Sequence, residues 1–323
     1  MAKVDSKGMV RGTAGSVVYR RYRGMNIIQG KPSAFKQTSA SIRSSTEFGL
    51  SSSAAAVIRH AFQPTYIYHD GQAVSRSTQL VYRGIRGSLT ASAGQRDLHD
   101  ADLNSIIGMD FNSKSPLTEV FQVSQRVVRD EQGRISVFLG ALNAKTDLRV
   151  PTNISKSVSK YRIRFSLIGF NFRQEYYEYL EVKDLELRKY GQLEAQEIRF
   201  ETSPEADQLL MLSVSLLAYS ETRMDEGYVL LNSKEFSPCA ILAAFAAKEP
   251  GEYPAGPVNL KLNEVQQPRV ANMYMMGYEG NRLMRGLERR QQTKTEAPMK
   301  RTMVEGGIQF LKIGTRVSFS SKP

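Results

Sequence analysis

Apolar and polar residues alternate most cleanly at 161–167, where Tyr161, Ile163, Phe165 and Leu167 share one parity and Arg162, Arg164 and Ser166 the other. A period of two is that of a strand with one buried face. Segments 120–128 and 134–142 are joined by Asp130-Glu131-Gln132-Gly133, a turn sequence, and predict a hairpin. Further strands are expected at 176–187, 197–201, 209–220 and 239–246. Short strands at this spacing predict a two-sheet β-sandwich over 116–248. It is immunoglobulin-like only in architecture, since with no Trp and one Cys the antibody-type core is absent.

The rhythm differs in 1–115. Val17-Val18-Tyr19 and Met25-Asn26-Ile27-Ile28 flank a basic turn at Arg23-Gly24 and predict a small hairpin. The stretch 30–40 is expected to be extended, with too little apolar material for a core of its own. A helix is expected over 45–62, where Phe48, Ala55 and Phe62 recur at every seventh position beside Leu50, Ala54, Val57 and Ala61. Gln63-Pro64 ends it. A second helix follows Asp70-Gly71, with Val74, Val81, Ile85 and Leu89 on one face, although Gly84 and Gly87 are poor helix formers.

Past the Pro/Gly-rich stretch 249–257, a linker or long turn, segments 271–278 and 282–287 flank Glu279-Gly280-Asn281 and predict a second hairpin. A basic loop over 288–301 and closing strands over 307–319 complete the chain. The expected class is mainly β with some helix (α+β). It has three parts: a hairpin, arm and helices in 1–115, a sandwich in 116–248 and a basic hairpin segment in 249–323.

Charge sharpens this division. The 323 residues carry +12 overall, made of +9 in 1–100, −4 in 101–268 and +7 in 269–323. Basic ends attract either nucleic acid or the acidic middle of another copy. Hydrophobic content of 41% is that of a globular chain. The single Cys239 excludes an intrachain disulfide framework, and its apolar setting suits a small inert hydrophobe. No signal-peptide stretch is expected at the N-terminus. The longest apolar run, 209–219, is too short and too interrupted by Ser213 and Ser215 to span a bilayer.

Candidate chemistry is thin. Arg96-Asp97-Leu98-His99-Asp100-Ala101-Asp102 is the richest polar cluster, but His60 and His69 form no metal-ligand spacing with it. Gly12-Thr13-Ala14-Gly15-Ser16 lacks the Gly-Lys-Ser/Thr of a phosphate loop and is expected to be a turn. No Gly-x-Ser-x-Gly elbow surrounds the serine-rich stretches. Neither a cofactor nor a small-molecule substrate is implied, and the chain is expected not to be an enzyme. Tyr19-Arg20-Arg21-Tyr22-Arg23 is the best nucleic-acid signal, with Arg289 and Arg290 as further candidate contacts.

The first 115 residues resemble an uncharacterised bacterial family of the Bacteroidota. The resemblance rests on Gly12-Thr13-Ala14-Gly15 running into Val17-Val18-Tyr19, on Glu47-Phe48-Gly49 and Ile58-Arg59, and on Gly108-Met109-Asp110-Phe111-Asn112. It implies no activity. The leading expectation is a subunit that assembles with copies of itself into a filament, tube or shell. Its arm residues are Val17, Tyr19, Ile27, Ile28 and Phe35, and its helix anchors are Phe48, Ile58 and Phe62. The alternatives are a nucleic-acid-binding module using Arg20, Arg21, Arg23, Arg289 and Arg290, and a phage-like virion structural protein.

Overall fold

The computed structural model describes the chain from residue 2 to residue 286, apart from residues 7, 23–24, 32–36, 202–203, 223–226, 250 and 252–268. Strands β1 (Lys3–Val4), β2 (Val10–Ala14), β3 (Val17–Tyr22) and β4 (Met25–Gly30) form an antiparallel meander in chain order. The expected hairpin is its second half. Helix α1 (Ser39–Phe62) begins six residues earlier than the pattern suggested. Thr38 caps it, its Oγ1 accepting from Ser41 N–H at 3.2 Å, so the serine-rich start is helical despite its weak propensity. Helix α2 is Ala73–Arg86.

The body continues with α3 (Leu117–Val120), β5 (Gln125–Arg129), β6 (Ile135–Leu139), β7 (Leu142–Asn143) and α4 (Thr152–Ser155). Next come β8 (Lys160–Asn171), β9 (Tyr176–Arg188), β10 (Gln192–Leu193), β11 (Gln196–Arg199), β12 (Leu209–Glu221), β13 (Tyr228–Leu230), β14 (Cys239–Phe245) and β15 (Val270–Asn272). Among the described residues the main sheet runs β13-β12-β8-β9-β15, with β14 beside the first half of β12. A three-stranded sheet runs β11-β6-β5, and β7 pairs with β10. The protein is mainly β with helices, an α+β chain.

Two buried clusters lie on opposite faces of the main sheet. On one, Ile163, Phe165 and Leu167 of β8 and Leu212 and Val214 of β12 meet Ile135, Val137 and Leu139 of β6 and Ile198 of β11. On the other, Ile168, Phe170 and Phe172 meet Leu50, Val57, Ile58 and Phe62 of α1 and Val81 and Ile85 of α2. Strand β8 thus changes its buried parity at Leu167/Ile168. Before that point its even positions form an ion ladder with β9: Arg164 holds Asp184 through two bonds of 2.8 and 2.7 Å, and Arg162 holds Glu186 at 2.6 Å.

Two expectations are corrected. Val74 is 53% exposed, and Leu89 lies beyond the end of α2 fully exposed, so the buried face of that helix is centred on Val81 and Ile85. There is no hairpin over 271–287 among the described residues. Residues 270–272 form β15 against β9, 273–276 make a 3-10 turn, and 280–286 are helical. Gly277, at φ +72°, turns the chain. The helical turn brings Met284 into the helix-side core and Leu283 against α1, where its Cδ1 lies 3.6 Å from a Cβ built on Gly49. Residues 288–323 lie outside the described residues.

Candidate assembly interface

The meander is built from short strands and permissive turns. Gly12 and Gly15 hold positive φ values of 107° and 58°, and Lys31 N–H donates to Ser16 O at 2.6 Å across the β3–β4 end. None of the described residues before Glu47 is buried, a stretch that includes the whole meander and the first two turns of α1. Neither buried cluster draws on any of them.

Register assigns the side chains to faces. Val4 opposes Val10, Tyr19 opposes both Gly12 and Ile28, and Val17 opposes Ala14 and Gly30. One face therefore presents Val4, Val10, Val17, Tyr19 and Ile28, with Val4 68% and Ile28 65% exposed. On the other face Lys3 opposes Arg11 and Arg20 opposes Ile27, so these three cations gather beside Ile27, Val18 and Met25. The run Tyr19-Arg20-Arg21-Tyr22 is split between faces, with Tyr19 and Arg21 on the first and Arg20 and Tyr22 on the second. Between Asp5 and Glu47 the chain has eight Lys and Arg and no carboxylate.

Of the expected arm residues, Val17, Tyr19 and Ile27 are half-buried and Ile28 is exposed. Phe35 lies outside the described residues, as do Arg23, Arg289 and Arg290. Phe48 is 55% exposed, edge-on to Tyr82 at 5.7 Å, and remains open to a neighbour. Ile58 and Phe62 are corrected: both are fully buried in the helix-side cluster of their own molecule. The seventh-residue stripe of α1 covers its own sheet from Leu50 onwards, and only the first turns project. Val4, Val10, Lys3 and Arg11 were not singled out from sequence, because β1 and β2 are too short to show a period.

The polar cluster at 96–102 is an internal clamp. Arg173, in the β8–β9 turn, holds Asp97 Oδ2 at 2.8 Å and Asp100 Oδ2 at 3.2 Å and donates to Gly251 O at 2.7 Å. Asp97 is 2% exposed, and its Oδ1 also accepts from His99 N–H and Asp100 N–H. His99 Nε2 accepts from Phe172 N–H at 3.0 Å, which fixes a neutral ring, and burial pushes its pKa down to about 4. Burial, reinforced by the neighbouring Asp97, raises the Asp100 carboxyl. Arg96 is paired at 2.8 Å with buried Glu47. The groups are bound to one another rather than aimed into a cleft. Among the described residues no three His, Cys, Asp or Glu side chains are placed to hold a metal ion.

Cys239 is fully buried and its thiol is pushed up to about 12 by burial, as suits an inert hydrophobe. Among the described residues no helix is long and apolar enough to cross a membrane. No family model, curated protein or solved structure matches this chain.

Proposed function

We propose that this chain is a structural subunit whose N-terminal meander and projecting helix start join it to copies of itself in an ordered polymer, a filament, tube or shell. A virion shell is one form such a polymer takes. The body that it carries is read as a β-sandwich with helices laid on its free outer face. The supporting observation is a four-stranded sheet with no buried residue. A small sheet with neither face covered is marginal in water. Full burial of a Val or Ile contributes roughly 1.5–3 kcal/mol. Covering Val4, Val10, Val17, Tyr19 and Ile28 is therefore comparable with the roughly 4–15 kcal/mol that association costs.

Sedimentation velocity and electron microscopy of the full chain against Ile28→Asp test this. The expected outcome is large ordered species from the parent and monomer from the variant, with equal unfolding midpoints because Ile28 lies outside both cores. A parent chain that stays monomeric at all concentrations sinks the proposal.

The row Lys3, Arg11 and Arg20 favours a second reading, in which the meander grips a nucleic acid through phosphate contacts. That reading requires binding that weakens steeply with salt, and requires Arg11→Gln and Arg20→Gln to reduce the slope by about one each.

A further inference from the structure

We infer that the outer surface of the α1–α2 layer binds single-stranded nucleic acid, a base stacking on Phe48 and the backbone lying along Arg86 and Arg83. The site belongs to the folded body and requires neither assembly nor the row Lys3, Arg11 and Arg20. Its centre is a cluster across the groove between the two helices. Phe48 of α1 is 55% exposed and stands at 80° to the Tyr82 ring of α2, 5.7 Å away. The Arg86 guanidinium lies 5.6 Å from the centre of the Tyr82 ring, and Ser44 Oγ lies 3.4 Å from the Tyr82 hydroxyl. Phe48 and Tyr82 belong to neither buried cluster.

The surface around these rings is short of carboxylates. Helices α1 and α2 carry Arg43, Arg59, Arg76, Arg83 and Arg86 against Glu47 alone. Glu47 is 3% exposed and paired with Arg96. Arg76 is held by Asp70 at 2.6 Å, and Arg59 donates to Ser77 Oγ. Arg43, Arg83 and Arg86 form no salt bridge among the described residues. Asp102 comes beside Gly84 and Gly87, and its Oδ1 accepts from Asn104 N–H at 3.1 Å. Even with Asp102 set against one arginine, cations remain in excess. The 280–286 turn meets α1 where Leu283 approaches Gly49, and adds Arg282 paired with Glu279 and Arg285 without a salt bridge.

Chemistry narrows the partner. An arginine over one aromatic ring, beside a second ring open to solvent, suits phosphates and base faces together. In a duplex the bases cover one another, so a protein ring reaches a base face only on a single strand. The chain's own C-terminal stretch, +7 in 269–323, has the same sign as this surface. The acidic middle of a second copy is a poorer match, because Asp184 and Glu186 of its ladder are already paired with Arg164, Arg162 and Lys160. A single strand instead carries a phosphate at every nucleotide with a flat π-face beside it.

Fluorescence anisotropy of the full-length protein with a labelled oligothymidylate of about 15 nucleotides tests the site. Binding is expected at low salt, with Phe48→Ala weakening it roughly tenfold at an unchanged salt slope. Arg86→Gln is expected to flatten the log–log salt slope by about 0.7. Both variants should keep the parent's unfolding midpoint, since neither residue belongs to a buried cluster. A bromouracil-substituted strand, irradiated in the complex, is expected to form its adduct at Phe48 or Tyr82. Absence of binding, or binding untouched by Phe48→Ala, overturns the inference. Duplex held as tightly as single strand means that charge alone is at work, which also overturns it. Adducts confined to residues 3–30 overturn this site and leave the phosphate row of the meander standing. Sedimentation of the same samples without nucleic acid scores assembly separately, so failure of one reading is distinguishable from failure of the other.

Discussion

Arg173 donates to Asp97, Asp100 and Gly251 O from the turn between β8 and β9, and so ties that turn to a loop 73–76 residues away in sequence. Replacing it with Met removes the guanidinium that the 2%-exposed Asp97 holds at 2.8 Å. Breaking a buried pair on one side costs about 3–5 kcal/mol, so Arg173→Met is expected to show a large drop in the urea midpoint at unchanged slope. His99 adds a pH dependence. Its folded pKa of about 4 lies below the unfolded 6.5, so the unfolded chain takes up the proton first as pH falls. Stability from this group is complete above pH 6.5 and is lost towards pH 4, by roughly 3 kcal/mol in all. Asp100, with its raised carboxyl pKa, opposes this trend. The difference between the parent and His99→Gln, measured by urea unfolding at pH 7.5 and pH 5, isolates the histidine; equal losses in both proteins refute it. The residue types of this cluster were visible in 96–102, but its purpose was not. Arg173 sits among ordinary loop residues, and a clamp has the same composition as a site.

Elements were legible where a period ran long enough. Tyr161, Ile163, Phe165 and Leu167 predicted β8, and the turn at 130–133 predicted the β5–β6 pair. The same strand carried a second message in Ile168, Phe170 and Phe172, which continue the alternation on the other parity because helices cover that half of the sheet. Gly84 counted against α2 for its propensity, yet packing requires it. A Cβ there would meet Ser105 Oγ at 2.6 Å and Asp102 O at 2.8 Å. Gly84→Ala gains up to about 1 kcal/mol of helix propensity and meets an overpacking cost of about 1–3 kcal/mol. Net destabilisation is expected, read as a lower thermal midpoint; a raised midpoint would show that the 102–105 segment yields. The helical turn at 280–286 was hidden because seven residues that begin and end on glycine carry almost no period.

Across the whole molecule, α1 and α2 from the first part and Met273, Tyr278 and Met284 from the third share one core with β8, β9, β12 and β14. The boundaries drawn from composition therefore mark changes of element rather than of core. The exception is the stretch before Glu47, where eight cations and no carboxylate follow Asp5, so the proposed assembly would be sensitive to salt. Raising sodium chloride from 50 to 500 mM is expected to shift the sedimentation profile towards monomer, since exposed charges are screened beyond a Debye length. A profile that moves to larger species instead would mean that apolar contact alone drives association. Helix α1 itself sets a dimension. Its eight residues from Ser39 to Thr46 precede the first buried side chain and at 1.5 Å per residue amount to roughly 12 Å of rod. In the proposed assembly a rod of that length would act as a stand-off. Neighbours joined through this extension would be held with a water-filled gap between their bodies, and a lattice of them would be porous rather than sealed.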